Sequence, residues 1–254
     1  MIFDTHSHYS DDRFDPDREK LLSGMGNIGV GRIVEVGAGI ASTEDAIALA
    51  HQYDFMYAAV GIHPGEVENL EESHMDWLRG LTQDDRVVAV GEIGLDYHYD
   101  SPSREIQKQW FIRQLQIAAE TEMPVIIHSR DAAQDTWEIM QEHCAWKNGG
   151  VIHCFSYSAE LAGRYLEKGF FLGIGGVVTF DNARKLKEVV EIAPLEQLVL
   201  ETDCPYLTPA PHRGKRNDSG YLTHVVDTVA VLKGISREEV IAVTEQNAER
   251  LYHL

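Results

Sequence analysis

The amino-acid sequence predicts an α/β protein of the TIM (β/α)8-barrel class, built as a single domain over residues 1–254. Eight short runs rich in Val, Ile and Leu recur along the chain, and longer amphipathic segments separate them. The length of 254 residues is also close to the roughly 250 residues that are typical of such barrels. No linker or low-complexity segment interrupts this alternation, so we expect no second domain.

Each apolar run is short and almost continuously hydrophobic, as expected of a parallel strand that is buried on both faces. In chain order the runs are IFDTHSH from Ile2, RIVEVGAG from Arg32, MYAAVGIHP from Met56, VVAVGEIGLD from Val87, PVIIHS from Pro124, GVIHCFS from Gly150, FFLGIGG from Phe170 and LVLETD from Leu198. Eight βα units in succession predict a closed parallel barrel.

The segments between the runs carry helical patterns. After the fifth run, the side chains spaced to share one helix face are Ala133, Trp137, Met140 and Cys144. Ser103 is predicted to cap the long helix that follows the fourth run, and Ser236 is predicted to cap a C-terminal helix. The one long non-helical stretch, residues 208–221, comes directly after the eighth run.

The composition restricts the class of function. The chain carries 22 basic and 41 acidic residues, and the formal net charge of -19 opposes broad, nonspecific binding to nucleic acid or to an anionic membrane. A polyanionic substrate would therefore have to be held locally. We see no secretory signal and no apolar stretch near the ~20 residues needed to span a bilayer, so we expect no membrane association. Three well-separated cysteines suit a reducing compartment and predict a cytoplasmic protein.

Polar residues capable of binding metals recur at the ends of the apolar runs, where TIM barrels carry their chemistry. They are His6, His8, Glu92, His128, His153 and Asp203. A single histidine at a strand end is more often a hydrogen-bonded core residue than a ligand. Six such residues at one barrel end are different, because buried charge is costly and a metal is its natural compensation. The spacing also places His6 and His8 on the same side of the first strand.

Four imidazoles and two carboxylates, without a thiolate, form a donor set suited to zinc, manganese, iron, cobalt or nickel, whereas magnesium prefers more oxygen. Six ligands exceed one tetrahedral site, so we expect two divalent metal ions, with zinc, manganese or magnesium as the candidates. Glu92 is on the fourth strand, which lies between the histidines of the first strand and the histidine of the fifth strand around the barrel. It is therefore the best candidate for a carboxylate that bridges both ions.

The motifs DTHSH, GIHP, GEIGLDYH, PVIIHSRDA, IHCFS and LETDCPYLTP, in this order, resemble those of the TatD-type metal-dependent deoxyribonucleases of the amidohydrolase superfamily. The resemblance covers the whole chain. It implies one metal held by His6, His8, Glu92 and Asp203, and a second held by Glu92, His128 and His153. It further implies that Glu92 and Asp203 are catalytic, with Asp203 accepting a proton from the attacking water.

Further residues are candidates for substrate binding or for orienting the ligands. We expect His63, Arg130, His212 and Arg213 to contact substrate, although Arg130 could equally be a loop arginine paired with Asp131. His212 and Arg213 belong to HRGKR, the densest basic cluster in the chain, on the loop after the eighth strand, where barrels commonly bind phosphate. Metal-bound histidines generally need orienting partners, and Asp4, Asp96 and Glu201 are the candidates.

The leading hypothesis is a metal-dependent deoxyribonuclease that cleaves phosphodiester bonds of DNA, from ends or single strands, without an obligate protein partner. One alternative is a hydrolase of another bond, such as an amide, a lactone or an aminoacyl ester. A second alternative is a barrel that uses its metals structurally within a larger assembly, although structural sites are normally closed and compact.

Overall fold

Eight parallel strands form one sheet in the chain order β1 to β8. They are β1 (Ile2–Ser7), β2 (Val30–Val36), β3 (Met56–Val60), β4 (Val87–Asp96), β5 (Val125–Arg130), β6 (Gly150–Ile152), β7 (Phe171–Ile174) and β8 (Leu198–Leu200). This computed structural model describes all of residues 1–254. Every predicted run contains a strand, because each run is buried almost throughout; in β4 all ten residues are buried.

A helix follows each strand, and one further helix ends the chain. The helices are α1 (Arg18–Ser23), α2 (Ile40–Gln52), α3 (Glu72–Leu81), α4 (Arg104–Thr121), α5 (Ala133–Glu142), α6 (Ala159–Glu167), α7 (Arg184–Ile192), α8 (Leu222–Lys233) and α9 (Arg237–Tyr252). This alternation confirms the predicted TIM (β/α)8 class. None of the helices combines the length and the apolar character needed to cross a bilayer.

Two compact units divide the chain, unit 1 with residues 1–35 and 154–254 and unit 2 with residues 36–153. Within unit 1, β1 pairs in parallel with β2, and β7 with β8. Within unit 2, β4 lies between β3 and β5, and β5 pairs with β6. The prediction of one domain over residues 1–254 stays a prediction.

Both predicted helix caps are confirmed. The Ser103 hydroxyl accepts a hydrogen bond from the backbone N–H of Ile106, and the Ser236 hydroxyl accepts one from Glu239. Each satisfies an N–H group that the first turn of a helix leaves without an intrahelical partner.

The predicted helix face after the fifth strand, Ala133, Trp137, Met140 and Cys144, is wrong in part. Helix α5 ends at Glu142, and Cys144 lies beyond it in a left-handed conformation (φ 50°) with an exposed side chain. The buried residues of α5 are Thr136, Ile139 and Met140. Spacing alone extended the face by one turn, because it does not detect where the backbone leaves the helix.

Candidate metal centre

Three side chains of unit 1 form the first ligand group: His6, His8 and Asp203. The two Nε2 atoms of the histidines lie 3.1 Å apart. The Oδ1 atom of Asp203 lies 3.9 Å from Nε2 of His6 and 3.4 Å from Nε2 of His8. The two rings meet at 76°, edge to face, so that their nitrogens converge although His8 lies just beyond the end of β1.

These separations fit a bound cation. Metal–nitrogen and metal–oxygen bonds of about 2.0–2.2 Å place neighbouring ligands of a tetrahedral ion roughly 3.3 Å apart. The three ligand atoms lie within 4.8 Å of one another, and His6 is buried while His8 and Asp203 are partly exposed. The group therefore has the donor types, the spacing and the access that a divalent metal requires.

The loop after β8 holds Asp203 in place. The backbone N–H of Asp203 donates a hydrogen bond to the carbonyl of His6 at 2.9 Å, which fixes the loop against β1. Asp203 has a left-handed backbone (φ 56°), a conformation that aspartate tolerates better than most residues. Asn217 secures the loop from behind, because its Nδ2 donates to the carbonyls of Thr202 and Tyr206 at 3.0 and 2.8 Å.

Asp4 is buried beneath this group and acts through the backbone. Its Oδ1 accepts from the N–H groups of His6 and Thr202, and its Oδ2 accepts from the hydroxyls of Thr202 and Ser219 at 2.7 and 2.6 Å. Burial raises the pKa of Asp4 to about 7, against the lowering effect of these hydrogen bonds. The observed contacts thus hold the backbone on either side of the ligand group; those to His6 involve its amide rather than its ring.

Glu35, near the end of β2, is a buried carboxylate that our sequence analysis missed. It accepts hydrogen bonds from the N–H groups of Tyr9 and Ser10, both at 2.7 Å, and from the hydroxyl of Ser7 at 3.1 Å. Burial raises its pKa, and the positive potential of His8 opposes that effect. Glu35 therefore fixes the chain on both sides of His8. An isolated acidic residue inside the apolar run RIVEV was the available signal.

The second ligand group lies in unit 2 and consists of Glu92, His128 and His153. Glu92 is in β4, His128 is in β5, and His153 directly follows β6. The Oε1 atom of Glu92 lies 2.6 Å from Nδ1 of His128 and 3.8 Å from Nε2 of His153. Both histidine rings thus face one buried carboxylate oxygen, on three successive strands of the sheet.

The charges of this group depend on each other. Burial disfavours the ionised form of Glu92, but His128, His153 and His63 outweigh it and hold the pKa of Glu92 well below its ordinary value. Burial likewise favours a neutral His128, yet Glu92 and Asp96 raise the pKa of His128 to about 9. A carboxylate kept ionised in a buried position is a strong ligand, and a cation would replace the imidazole proton as its positive partner.

Asp96, at the end of β4, lies on the other side of His128. Its Oδ2 is 3.2 Å from Nε2 of His128, while Nδ1 of the same ring faces Glu92. A carboxylate on one ring nitrogen fixes the ring orientation and increases the basicity of the other nitrogen. This is the arrangement expected of an orienting partner for a ligand histidine.

His63 lies in the loop after β3, with its ring centroid 4.4 Å from that of His128. Ligand atoms of His63, Glu92 and His128 lie within 4.8 Å of one another. Nδ1 of His63 accepts a hydrogen bond from the backbone N–H of Gly65 at 3.0 Å, so the neutral ring carries its proton on Nε2. A ring that presents an N–H is suited to donate to an oxygen of a substrate.

Glu201 follows β8 and is buried in unit 1. Its Oε1 accepts from the backbone N–H of Cys154 at 2.6 Å, which anchors the segment that follows β6. Gly173 in β7 leaves the space for this carboxylate, since a Cβ atom there would lie 2.2 Å from its Oε2. A carboxylate oxygen of Glu201 also lies within 4.8 Å of a ring nitrogen of His6.

The basic residues predicted to bind substrate have different surroundings. Arg130 forms no ion pair with Asp131, which instead lies 3.4 Å from His98; the guanidinium of Arg130 lies 5.6 Å from the ring centre of Tyr99. The alternative reading of Arg130 as a partner of Asp131 is therefore wrong. Arg216 is the fifth residue of HRGKR, and its Nη1 and Nη2 atoms donate to Oδ1 and Oδ2 of Asp17 at 2.7 and 2.8 Å.

The other two predicted residues of this loop contact aromatic rings. The guanidinium of Arg213 lies over the ring of Phe180 at 4.1 Å, and Arg213 is exposed. The ring of His212 lies 4.7 Å from that of Tyr221 and 5.1 Å from that of His224. Only part of the basic cluster is thus left to meet a ligand.

Comparisons with known proteins show which family this chain belongs to. The family model described as TatD related DNase matches residues 3–253. A protein of Bacillus subtilis (strain 168) named uncharacterized metal-dependent hydrolase YabD is 42% identical over 254 residues, covering 100% of both chains. The 3'-5' ssDNA/RNA exonuclease TatD of Cronobacter sakazakii is 32% identical over 257 residues, covering 99% of this chain and 97% of that protein.

A solved structure supports the same relationship. The TatD homologue YJJV of Escherichia coli K12 superimposes with a TM-score of 0.94 at 31% identity, covering 100% of this chain and 98% of the other. This match bears out the TIM-barrel class, and with it the resemblance that the motifs indicated. The sequence and the fold of this chain together establish that it belongs to the TatD-related DNase family of metal-dependent hydrolases.

Proposed function

We propose that this protein is a metal-dependent deoxyribonuclease that hydrolyses phosphodiester bonds at DNA ends, using two divalent cations. The observation that carries the proposal is the pair of imidazole–carboxylate groups, His6–His8–Asp203 and Glu92–His128–His153, whose residues lie in the carboxyl-terminal halves of parallel strands or just beyond them. Barrel enzymes carry their chemistry at that end. A relative of 32% identity is named a 3'-5' ssDNA/RNA exonuclease, which supports a nucleic-acid substrate.

The two carboxylates suit different roles. When bound, divalent cations would supply Lewis acidity toward a phosphoryl oxygen and lower the pKa of the water nucleophile. Glu92 is only 5% exposed and is held ionised by its histidines, which suits a permanent ligand. Asp203 is 19% exposed, so its carboxylate can both ligate and accept a proton from a water arriving from solvent. That Glu92 also serves the His6–His8–Asp203 group stays a prediction.

Substrate contacts are proposed for His63, Arg130, His212 and Arg213. The Nε2–H of His63 would donate to a nonbridging phosphoryl oxygen. Arg130 and Arg213 are exposed, and neither forms an ion pair with an acidic residue, so each can meet a phosphate. His212 lies within an aromatic cluster, where it would act through its ring nitrogens.

The test is cleavage of end-labelled single- and double-stranded oligonucleotides in the presence of Mg, Mn or Zn. We compare the wild type with Glu92→Ala and Asp203→Asn. The matched control is His253→Ala, which changes an exposed histidine at the C-terminus. Loss of a single catalytic group typically lowers the rate by about 10²–10⁴-fold, and we expect both variants to fall in that range while the control is unchanged. Undiminished cleavage in both variants would refute the assignment.

Metal content provides a second readout. We expect the wild type to bind two equivalents by equilibrium dialysis and elemental analysis, and His8→Ala and His153→Ala to lose one equivalent each. Loss of both equivalents in each variant would favour one shared centre. A single equivalent in the wild type would contradict the two-metal proposal.

The alternative hydrolases are tested in the same preparation. If no oligonucleotide is cleaved with any metal but a lactone, an amide or an aminoacyl ester is turned over, the chain is a hydrolase of that other bond. If nothing is turned over and chelation only lowers the melting temperature, the metals are structural.

A further inference from the structure

Unit 1 contains a second feature with chemistry that the ligand groups do not use: a cavity of about 840 Å³ beside the start of α7. The segment that enters α7 lines much of it, and Ser156 and Val177 complete part of the wall. Its charged lining residues are Arg184, Lys185, Lys187, Glu188 and Glu191. Three cations and two carboxylates thus give the lining a net charge of +1, in a chain whose net charge is -19.

The three cations have no acidic partner. Arg184 and Lys185 are exposed, Lys187 is half-buried, and none of them forms an ion pair, although Glu188 and Glu191 follow on the same helix. Most other arginines of the chain form an ion pair with an aspartate or a glutamate. Examples are Arg13, Arg18, Arg79, Arg113, Arg164 and Arg216. In so acidic a chain, three adjacent unpaired cations leave a local positive potential.

The location of these cations in α7 carries an energetic cost. All three lie in the first turn or just after it, where no acidic residue is present. Cations at the start of a helix are repelled by the positive end of its dipole. This arrangement is unfavourable for the helix alone, and an anion in the cavity would relieve the repulsion.

A fourth cation extends the positive region. Arg213 lies over the ring of Phe180, four residues before Arg184. The two loops are also joined by a hydrogen bond from the N–H of Ala210 to the hydroxyl of Thr179, at 2.8 Å. The basic region therefore runs from the loop after β8 to the cavity beside α7, along loops at the carboxyl ends of β7 and β8.

We propose that this basic cavity binds the phosphodiester backbone of single-stranded nucleic acid, on the part of the strand that lies outside the cleavage centre. The inference rests on the proposed function and names how that substrate is held. Proteins that bind single strands use a positively charged groove that follows the backbone. A single local cavity matches a few nucleotides of one strand and would make longer strands better substrates than short ones.

The test uses the double variant Arg184→Ala/Lys185→Ala, because both side chains are exposed. The matched control is Lys147→Ala/Lys168→Ala, which removes two exposed lysines that precede β6 and β7 at the opposite ends of those strands. Binding of a fluorescein-labelled phosphorothioate oligothymidylate dodecamer is followed by anisotropy at several salt concentrations. Cleavage of unmodified trimer and dodecamer is measured in parallel.

We expect the double variant to bind the dodecamer about fivefold more weakly at low salt, with a log–log salt slope smaller by about 1.4, since each phosphate contact to a single strand contributes roughly 0.7. Its kcat/KM for the dodecamer should fall to the level of the trimer, while trimer cleavage and the control variant stay unchanged. Dodecamer affinity equal to wild type in the double variant would overturn the proposal.

Two further outcomes are distinct. If the wild type cleaves no oligonucleotide with any metal, the proposed function fails, and the binding measurement still decides whether the cavity holds a single strand. If a polyglutamate peptide of equal charge binds as tightly as the dodecamer and the double variant loses both, the cavity is a site for acidic protein, and the nucleic-acid proposal is wrong.

Discussion

Substitution of Gly94 by alanine should destabilise the fold beside the second ligand group. Gly94 lies in β4 opposite His128 of β5, and its φ of 144° is a conformation that residues with a side chain rarely adopt. A Cβ atom at this position would lie 1.9 Å from the carbonyl oxygen of His128. That oxygen belongs to the backbone of a central strand, so no side-chain rotation can relieve the contact.

The magnitude follows from two contributions. The backbone conformation costs about 1–3 kcal/mol for a residue other than glycine. The carbonyl must also move by more than ~1 Å to reach a normal contact, and each ladder hydrogen bond lost costs roughly 1 kcal/mol. With one hydrogen bond lost, the sum is about 2–4 kcal/mol, a large fraction of the 5–15 kcal/mol of a typical domain. For a chain of this size we expect a decrease in Tm of roughly 10 °C.

The assay is thermal and urea unfolding followed by circular dichroism. Gly163→Ala is the matched control: Gly163 is inside α6 with nothing within 4 Å of its Cβ position, so alanine should raise the stability by about 0.5–1 kcal/mol. Because Gly94 faces His128, the Gly94→Ala variant should also bind less metal. The expected decrease in Tm is several times larger than the scatter of such assays, which is about 2 °C. A Tm of Gly94→Ala within about 2 °C of wild type would therefore refute the reasoning.

Three further predictions concern the loops and the metals. Arg216→Ala removes the ion pair with Asp17 and should lower the urea midpoint only slightly, because an exposed ion pair stabilises little, with cleavage unchanged; a large loss of kcat would contradict this. Asn217→Ala removes two buried hydrogen bonds that hold the loop of Asp203, so we expect a loss of about 2–3 kcal/mol and a fall in kcat; wild-type kinetics would argue against it. Chelation of bound metal should lower the Tm, because a ligand of the folded state stabilises it; an unchanged Tm would exclude a metal bound in the folded state.

The strands could be predicted because their signal is local. A parallel strand buried on both faces reads as a short apolar run, and every such run in this chain contains a strand. The same argument located the polar residues at or near the ends of those runs. His6 and His8 were expected on one side of β1, and their Nε2 atoms lie 3.1 Å apart.

Other features depended on contacts between distant residues. Glu35 gave only a weak signal, because its role requires the segment after β1 to turn back so that Tyr9 and Ser10 donate to it. HRGKR reads as one basic cluster, yet Asp17 engages Arg216 across 199 positions of sequence. Sequence spacing cannot reveal a partner that folding brings from so far away.

The sequence by itself determined the αβ alternation, the strand number and the imidazole–carboxylate donor set, since periodicity and residue type are local properties. Only the tertiary structure decided which cations remain without a partner. Arg216 forms an ion pair with Asp17, whereas Arg184 and Lys185 line a cavity. Electrostatic pairing is a matter of distance in space, and a carboxylate neutralises a guanidinium only when the fold brings them within a few ångströms.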